Sequence, residues 1–417
     1  MRVVLVLLVL TFSINSSAFA QVPVLWDEQV DIANGDIARA VTVSGKTVVL
    51  AGGSSTSDGL DMVVRGYAKK TGRLRWSDKT ALATGIETTV YATKSAGIIY
   101  TAGYSPNGFG SDINVHAYDA ATGAHLWQDV LDRGRDDFPK DLAANQAAVV
   151  VAGYGGNTPG HDLDLLVRAY DPVTGQVLWD DQVDTDGQSD AAFRVALTNA
   201  QVIVAGTTSG ANNASILRAY DVTTGRLLWD VRQSDFSPAA LVVRGGRVIV
   251  GGSLMNLAAT FAFKATNGKT LWQDQGSPGA VRDLQVRAGR LVEVGSFGVR
   301  MMDVKNGQAA WEAPSAVVSK GFEFLSMVEL GANAIYVGGS TVHEFVDSDS
   351  TVRAYDYSGN LLWEDHAYRS SNTQPHALAL SGRTLFMVGH VTQPNSRNLD
   401  FFIRAYDVRD AAPPDEE

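Results

Sequence analysis

Residues 170–179, with the sequence YDPVTGQVLW, decide how this chain folds. Closely similar stretches end at Trp127 and Trp229, and every tryptophan of the protein ends a stretch of this kind, more or less well preserved. The eight are Trp26, Trp76, Trp127, Trp179, Trp229, Trp272, Trp311 and Trp363, separated by 50, 51, 52, 50, 43, 39 and 52 residues. Self-similarity at such a period is typical of a repeat array, in which each repeat is one structural unit.

Each repeat contains four short runs of β-branched and aromatic residues, separated by Gly, Ser, Asn and Asp. Four-stranded units of about 40–50 residues predict an all-β fold, an eight-bladed β-propeller of antiparallel blades. The last unit has no fourth run, whereas an unmatched run surrounds Trp26 near the start of the chain. We therefore expect the N-terminal strand to complete the last blade and close the ring, leaving no open sheet edge.

The two ends of the chain differ in composition from the repeats. Arg2, an apolar run and Ala18-Phe19-Ala20 predict a signal peptide at residues 1–20. We expect a single propeller domain at residues 21–410 and a disordered acidic tail at residues 411–417. The protein is thus expected to be exported, to the periplasm or outside the cell. Because the chain has no cysteine, we expect no lipid anchor, and no later segment is apolar enough to insert into a membrane.

The formal net charge is −11. An acidic surface argues against nucleic acid and against anionic lipid as partners.

Arginine recurs two residues before the repeated tyrosine, and an acid recurs two residues after the repeated tryptophan. The arginines are Arg65, Arg168, Arg218, Arg300, Arg353 and Arg404; the acids are Glu28, Asp78, Asp129, Asp181, Asp274 and Asp365. We place both positions on adjacent strands of one hairpin and interpret them as a repeated ion pair at the blade interface. The alternative interpretation is a binding surface.

A second acidic series stands sixteen residues before the glycine that ends the second run. Its members are Asp36, Glu87, Asp137, Asp190 and Asp235. A third series, six residues before the repeated tyrosine, comprises Asp61, Asp112, Asp164, Asp349 and Asp400. Both series are predicted to lie on one face of the propeller. They either cap backbone N–H groups in loops or form an acidic rim that binds cations or a basic partner.

The same face is expected to be asymmetric. The loops between the second and third runs are nearly absent around residues 255–259 and 297–298. We therefore predict a notch at the fifth and sixth blades, with a partner bound on the acidic arc formed by Asp36, Glu87 and Asp137.

The sequence contains no motif that identifies a catalytic, cofactor-binding or metal-binding residue. There is no Gly-x-Ser-x-Gly, Walker loop or His-Glu-x-x-His. Residues 184–190, DTDGQSD, have some similarity to a calcium-binding loop but lack its alternating ligands and final glutamate. We interpret them as a turn, and we assign the eight tryptophans a structural role.

The phrase Tyr-Asp-x-x-Thr-Gly-x-x-Leu-Trp resembles the tryptophan-docking motif of PQQ-like β-propeller repeats, in the WD40 and quinoprotein-like group of folds. That superfamily includes the quinoprotein alcohol and glucose dehydrogenases and the periplasmic propeller of the outer-membrane barrel assembly machinery. The alcohol-oxidising enzymes carry an adjacent cysteine pair, which a chain without cysteine lacks. Their calcium ligands and catalytic aspartate match no local motif here.

These observations favour an exported, non-enzymatic propeller that binds a protein, peptide or glycan as a scaffold, with no cofactor. The alternative is an enzyme, either a degenerate quinoprotein dehydrogenase or a carbohydrate-active propeller, with its site at the channel mouth. PQQ and calcium are the cofactors that this alternative implies.

Overall fold

The structure is a computed structural model. It describes residues 22–33, 35–56, 59–80, 88–108, 110–156, 163–185, 187–209, 214–315, 322–343, 347–367, 372–393 and 398–408. The predicted signal peptide and the predicted acidic tail lie outside these residues. Within the described ranges, no helix is long and apolar enough to cross a membrane.

The described residues form 32 strands, which we group into eight units. Strand β1 (Val24–Val30) comes first. Unit 1 has β2 (Gly35–Ser44), β3 (Thr47–Thr56), β4 (Gly59–Ala68) and β5 (Leu74–Thr80); unit 2 has β6 (Thr88–Ser95), β7 (Ile98–Pro106), β8 (Ser111–Asp119) and β9 (His125–Leu131). Unit 3 has β10 (Phe138–Ala144), β11 (Val149–Gly155), β12 (Asp164–Tyr170) and β13 (Val177–Val183); unit 4 has β14 (Asp190–Leu197), β15 (Gln201–Thr208), β16 (Ala214–Asp221) and β17 (Leu227–Ser234).

The second half of the chain repeats this plan. Unit 5 has β18 (Phe236–Arg244), β19 (Arg247–Leu254), β20 (Leu257–Lys264) and β21 (Thr270–Pro278); unit 6 has β22 (Val281–Arg287), β23 (Arg290–Gly295), β24 (Gly298–Asp303) and β25 (Ala309–Pro314). Unit 7 has β26 (Phe322–Leu330), β27 (Ala334–His343), β28 (Asp347–Asp356) and β29 (Leu361–Ala367); unit 8 has β30 (Thr373–Ser381), β31 (Thr384–Thr392) and β32 (Leu399–Asp407).

Each unit is an antiparallel sheet in which consecutive strands pair. Strand β1 pairs antiparallel with β32, from Val24 opposite Tyr406 to Val30 opposite Phe401. A single parallel pair, Gly35 with Leu399, joins units 1 and 8 into one sheet. The all-β prediction is confirmed for the described residues, and these four-stranded antiparallel sheets are consistent with a β-propeller.

The order of the strands defines two faces. The hairpins that join first to second and third to fourth strands lie on one face, which we call the turn face. The second-to-third loops and the connections between units lie on the opposite face, which we call the loop face. Apolar side chains of the middle strands fill the space between neighbouring units, so the core is distributed between sheets rather than collected at one centre.

The first strand of every unit contains a β-bulge at the same place, for example between Ala38 and Ala40 in β2 and between Pro139 and Asp141 in β10. A glycine of the second strand stands opposite the bulge. A Cβ on Gly52 would lie 2.1 Å from the carbonyl oxygen of Ile37, a distance no side chain tolerates. The repeated glycine of the second run is therefore required by the bulge, which inserts one extra residue into the first strand.

The tryptophans dock on the following unit. The indole Nε1 of Trp179 donates to the carbonyl oxygen of Val222 at 2.9 Å. Its ring lies against Gly225, whose φ of 69° places it in the left-handed region and whose added Cβ would approach the ring to 2.7 Å. The same contact recurs in other units, as in Trp127 with Pro172 and Trp229 with Ala265.

The repeated ion pairs link neighbouring units, as expected for ion pairs at the blade interface, but the two partners belong to different hairpins. Arg168 stands opposite Asp180, one residue after the tryptophan, and the expected acid, Asp181, stands opposite Val167. Successive residues of a strand point to opposite faces of a sheet, so Asp181 faces the next unit. There it accepts a hydrogen bond from the hydroxyl of Tyr220 at 2.8 Å and lies 3.5 Å from Arg218.

Candidate functional site

The acidic series beginning at Asp36 lies inside the connections of the loop face. Oδ2 of Asp36 accepts hydrogen bonds from the backbone N–H groups of Ile32 at 2.5 Å and Ala33 at 3.2 Å, and Ser54 donates to Oδ1 at 2.5 Å. Asp137 and Asp190 are equally buried. They accept from the N–H groups of Arg133 at 2.6 Å and Thr185 at 2.5 Å. These carboxylates are directed into the connections, not outward as an open rim. Glu87 lies outside the described residues.

Asp235 does not belong to this series. In unit 5 the residue opposite the bulge is Gly252, whereas the spacing in the sequence starts from Gly251. Counted from Gly252, the equivalent of Asp36 is Phe236. The same shift in unit 7, where Gly339 stands opposite the bulge, gives Glu323. Asp235 is instead an exposed turn residue with a positive φ of 58°.

Asp235 lies at an open cleft between units 4 and 5. The cleft has a volume of about 450 Å³ and is lined by Thr207, Thr208, Ser209, Asp235, Phe236, Ser237, Ser253, Met255 and Asn256. Strands β19 and β20 are joined by the tight turn at Met255 and Asn256, with no longer loop to cover the cleft. Met255 is 69% exposed. The cleft thus combines an apolar side chain, several hydroxyl groups and one carboxylate.

A second cavity, of about 380 Å³, lies between the first strands of several units, and we call it the channel cavity. Its walls carry both signs of charge, including Arg39, Arg194, Asp141 and Glu329. Asp141 accepts a hydrogen bond from the N–H of Val195 in the next unit at 2.9 Å. Burial raises the pKa of Glu329 to about 7.

Asp283 repeats the role of Asp141. It accepts from the N–H of Val328 in the following unit at 2.9 Å, and burial raises its pKa to about 6. The two channel aspartates therefore hold neighbouring first strands together, and their oxygens are already engaged by backbone N–H groups.

His376 and His390 form a stacked pair at the channel. Nε2 of His376 and Nδ1 of His390 are 2.9 Å apart and share one hydrogen bond. Burial, with the nearby charge of Arg39, lowers the pKa of His376 to about 3 and that of His390 to about 4. The pair is neutral at pH 7. No spacing in the sequence indicates that these histidines are in contact.

One group of three acidic side chains in the described ranges has the spacing of a metal site. One oxygen from each of Asp112, Asp132 and Asp137 lies within 4.8 Å of the others. None of the three lines the cleft or the channel cavity. Asp112 and Asp137 belong to two different series in the sequence, and Asp132 belongs to none, so the sequence did not bring them together.

The residues of the predicted calcium-like loop form a turn where they are described. Asp190 accepts from Thr185, and Asp184 accepts from the N–H of Gly187 at 2.8 Å. Asp186 lies outside the described residues.

A protein-family model matches residues 23–158 and 163–342, and its description is outer membrane protein assembly factor BamB. No curated protein matches the chain by sequence. BamB from Moraxella catarrhalis is similar in structure, with a TM-score of 0.54 and 15% identity, over 93% of this chain and 100% of that one.

Two further structures resemble the chain more closely in shape. A quinohemoprotein alcohol dehydrogenase from Comamonas testosteroni has a TM-score of 0.62 and 13% identity, over 93% of this chain and 76% of that one. The Dos1 propeller has a TM-score of 0.62 and 12% identity, over 92% of this chain and 95% of that one. At such identities the likeness shows the fold, that of a propeller.

Proposed function

Because the chain belongs to the PQQ-like repeat family described as outer membrane protein assembly factor BamB, we propose that it is an exported scaffold that binds another protein. The proposed compartment is the periplasm or the extracellular space, consistent with the family description. In this proposal, the cleft between units 4 and 5 is the binding site. The observation that supports this choice is that the cleft is open and no loop covers it.

The described polar residues of the repeats have internal roles. The arginine and acid positions join neighbouring units, and Asp36, Asp137 and Asp190 cap connections. The cleft departs from this pattern, since Met255 and Asp235 are exposed there on the loop face. An exposed apolar side chain beside several hydroxyl-bearing residues suits a segment of protein in an extended conformation.

The charge of the cleft and of the whole chain indicates which kind of partner segment is expected to bind. Asp235 is the acid of the cleft, and the protein carries a net charge of −11. A segment that places an apolar residue against Met255 and a lysine or arginine beside Asp235 is complementary to the cleft and to the charge of the whole chain. The proposed partner is therefore an exported protein with a mixed apolar and basic segment.

We also propose that the eight units form a closed, eight-bladed ring. Pairing of β1 with β32 supplies the fourth strand of unit 8, and β2 lies against β30 and β31. These contacts support a ring in which the N-terminal strand completes the last blade. A closed ring provides a rigid support for the cleft.

Site-specific photo-crosslinking tests the scaffold proposal. A photoreactive residue at Met255, on the loop face, should give a discrete adduct with one exported protein in intact cells. The same residue at Val173, which is 72% exposed on the turn face, is the matched control and should give none. Asp235→Lys should weaken the Met255 adduct. Identical adducts from both positions, or none from either, would rule out the cleft as the site.

The channel cavity supports a second candidate, an enzyme with its site at the channel. Buried groups with displaced pKa values, such as Glu329 and His376, are common in active sites. Against this candidate, the described channel carboxylates of Asp141 and Asp283 are engaged by backbone N–H groups. Dye reduction by the purified protein after incubation with PQQ and calcium would favour the enzyme over the scaffold.

A further inference from the structure

The three carboxylates of Asp112, Asp132 and Asp137 meet where unit 2 passes to unit 3 on the loop face. Asp112 lies at the start of β8, Asp132 in the connection after β9, and Asp137 immediately before β10. Asp112 and Asp137 are buried, whereas Asp132 is exposed and opens the group to solvent.

Asp137 has one carboxylate oxygen without a partner. Its Oδ2 accepts from the N–H of Arg133, as in the other units, but Oδ1 is buried and makes no hydrogen bond. In unit 1 the residue opposite the equivalent Asp36 is Ser54, which donates to Oδ1. In unit 3 that place is taken by Gly155, which has no hydroxyl, and Oδ1 of Asp137 occupies the space where its Cβ would stand.

The two other acids at this position also face a hydroxyl-bearing residue. Thr208 stands opposite Asp190, and Thr341 stands opposite Glu323, although Oδ1 of Asp190, like Oδ1 of Asp137, is buried and makes no hydrogen bond. Among the described units, unit 3 alone pairs the acid with glycine. The departure leaves a buried anion open on one side, and a buried anion is costly unless something neutralises it.

Asp112 also differs from the equivalent acids of its series in the side chain that it contacts. In units 1, 3 and 8 the third residue after the tryptophan offers a cationic or amide group to the equivalent acid. The pairs are Lys79 with Asp61 at 2.7 Å, Gln182 with Asp164 at 2.5 Å, and Gln29 with Asp400 at 2.7 Å. In unit 2 this residue is Val130, which has no donor. Asp112 accepts instead from the amide of Asn107 at 2.5 Å.

The neighbouring arginine forms its ion pair outside the group. The guanidinium of Arg133 pairs with Asp180, and Asp132 accepts from the N–H of Gly134 at 2.6 Å. Three carboxylates share a small volume here, and no basic side chain is paired with any of them among the contacts of the described residues.

We propose that Asp112, Asp132 and Asp137 bind one divalent cation of the calcium type. Carboxylate oxygens are the ligands that Ca²⁺ prefers, and water and backbone carbonyl groups complete its coordination in flexible sites. The carboxylate of Asp137 supplies a buried ligand, and exposed Asp132 supplies the route of entry. The cation ties the β7–β8 hairpin of unit 2 to the first strand of unit 3.

Calcium titration of the purified full chain tests this assignment. After removal of metal with EDTA, CaCl₂ should raise the Tm by a few degrees, because a ligand that binds only the folded state stabilises it. Isothermal titration calorimetry should show one Ca²⁺ per molecule. Asp132→Asn should abolish both effects, and its exposed position leaves folding intact without metal.

Asp36→Asn is the matched control, since Asp36 occupies the place of Asp137 in unit 1 but faces Ser54. It should keep the full calcium response. An identical calcium response of the unmodified protein and Asp132→Asn, including no response in either, would overturn the assignment. Crosslinking at Met255 reports on a different pair of units, so failure of the cation site and failure of the scaffold proposal are separately visible.

Discussion

The contacts that recur from unit to unit are much more regular on the turn face than on the loop face. On the turn face, Asp171 accepts hydrogen bonds from the N–H and hydroxyl of Thr174 at 2.7 and 2.9 Å, and Asp119 and Asp221 do the same in their units. On the loop face, the connections differ in length, and the acids at equivalent positions face Ser54, Thr208 or Gly155. Repetition marks the residues that hold the sheets together, and departure from it marks the places where we propose that a ligand binds.

The largest effect is expected from removing β1. Without residues 21–28, β32 loses most of its pairing with β1 and keeps only β31 as an antiparallel partner, and an open sheet edge invites aggregation. The truncated protein should melt at a lower temperature and form soluble aggregates in size-exclusion chromatography. As a check, cysteines at Trp26 and Ala405, which stand opposite each other, should crosslink within one molecule. A monomeric truncated protein with an unchanged Tm would contradict ring closure by β1.

Trp179→Ala tests the structural role of the turn-face motif. The indole is 9% exposed and fills the space against Gly225, so its loss should lower the free energy of unfolding by about 3–5 kcal/mol. Urea denaturation followed by circular dichroism measures this. Val173→Ala, in the same motif but exposed, is the control and should change stability little. Equal stabilities of the two variants would show that the tryptophan is not part of the core.

Asp365→Ala tests the link between neighbouring units. Its carboxylate accepts from Tyr406 at 2.9 Å and from Arg404 at 3.0 Å, so the variant leaves a buried hydroxyl unsatisfied. The free energy of unfolding should fall by about 1–3 kcal/mol. Tyr406→Phe in the same background should then cost little, and a double-mutant cycle measures the coupling. Additive effects of the two changes would mean that the hydroxyl and carboxylate do not interact.

The two faces should respond oppositely to pH in metal-free buffer. Hydrogen bonds from Thr174 lower the pKa of Asp171, so its contribution is present above the unfolded pKa and is lost in acid. Burial raises the pKa of Asp137 to about 7, so its protonated form favours the folded state at pH 4 and this contribution is lost towards pH 7. Asp171→Asn should reduce the acid-side loss, and Asp137→Asn the loss between about pH 4 and 7, in Tm against pH.

The smallest change in stability is expected at Met255. Because this side chain is 69% exposed, Met255→Ser should alter the free energy of unfolding by less than about 0.5 kcal/mol. Binding of the crosslinked partner should nevertheless weaken in a pull-down with the purified proteins. Val173→Ser on the turn face should change neither quantity. Loss of partner binding in both variants would show that the contact is not specific to the loop face.

The sequence predicted the four-stranded units because the tryptophan and the Tyr-Asp-x-x-Thr-Gly turn recur with a period of one unit. Prediction from the sequence failed where two structural alternatives have the same sequence pattern. The pair Gly251-Gly252 hides which glycine faces the bulge, and so Asp235 was placed one residue out of register. Strand alternation shows which face Asp181 occupies but not which unit packs there. The acidic group at Asp132 could not be predicted from the sequence, because only the fold brings its residues together.

The bulge of the first strand has a consequence for how such a protein can change. The inserted residue has no partner in the ladder, so its identity is free of the constraints of pairing. The eight inserted residues are Arg39, Val90, Lys140, Phe193, Ala239, Arg282, Ser326 and His376. They range from cationic to aromatic to small while the backbone around them stays the same. Four of them, Arg39, Arg282, Ser326 and His376, line the channel cavity, so the charge and shape of this lining can change one sheet at a time.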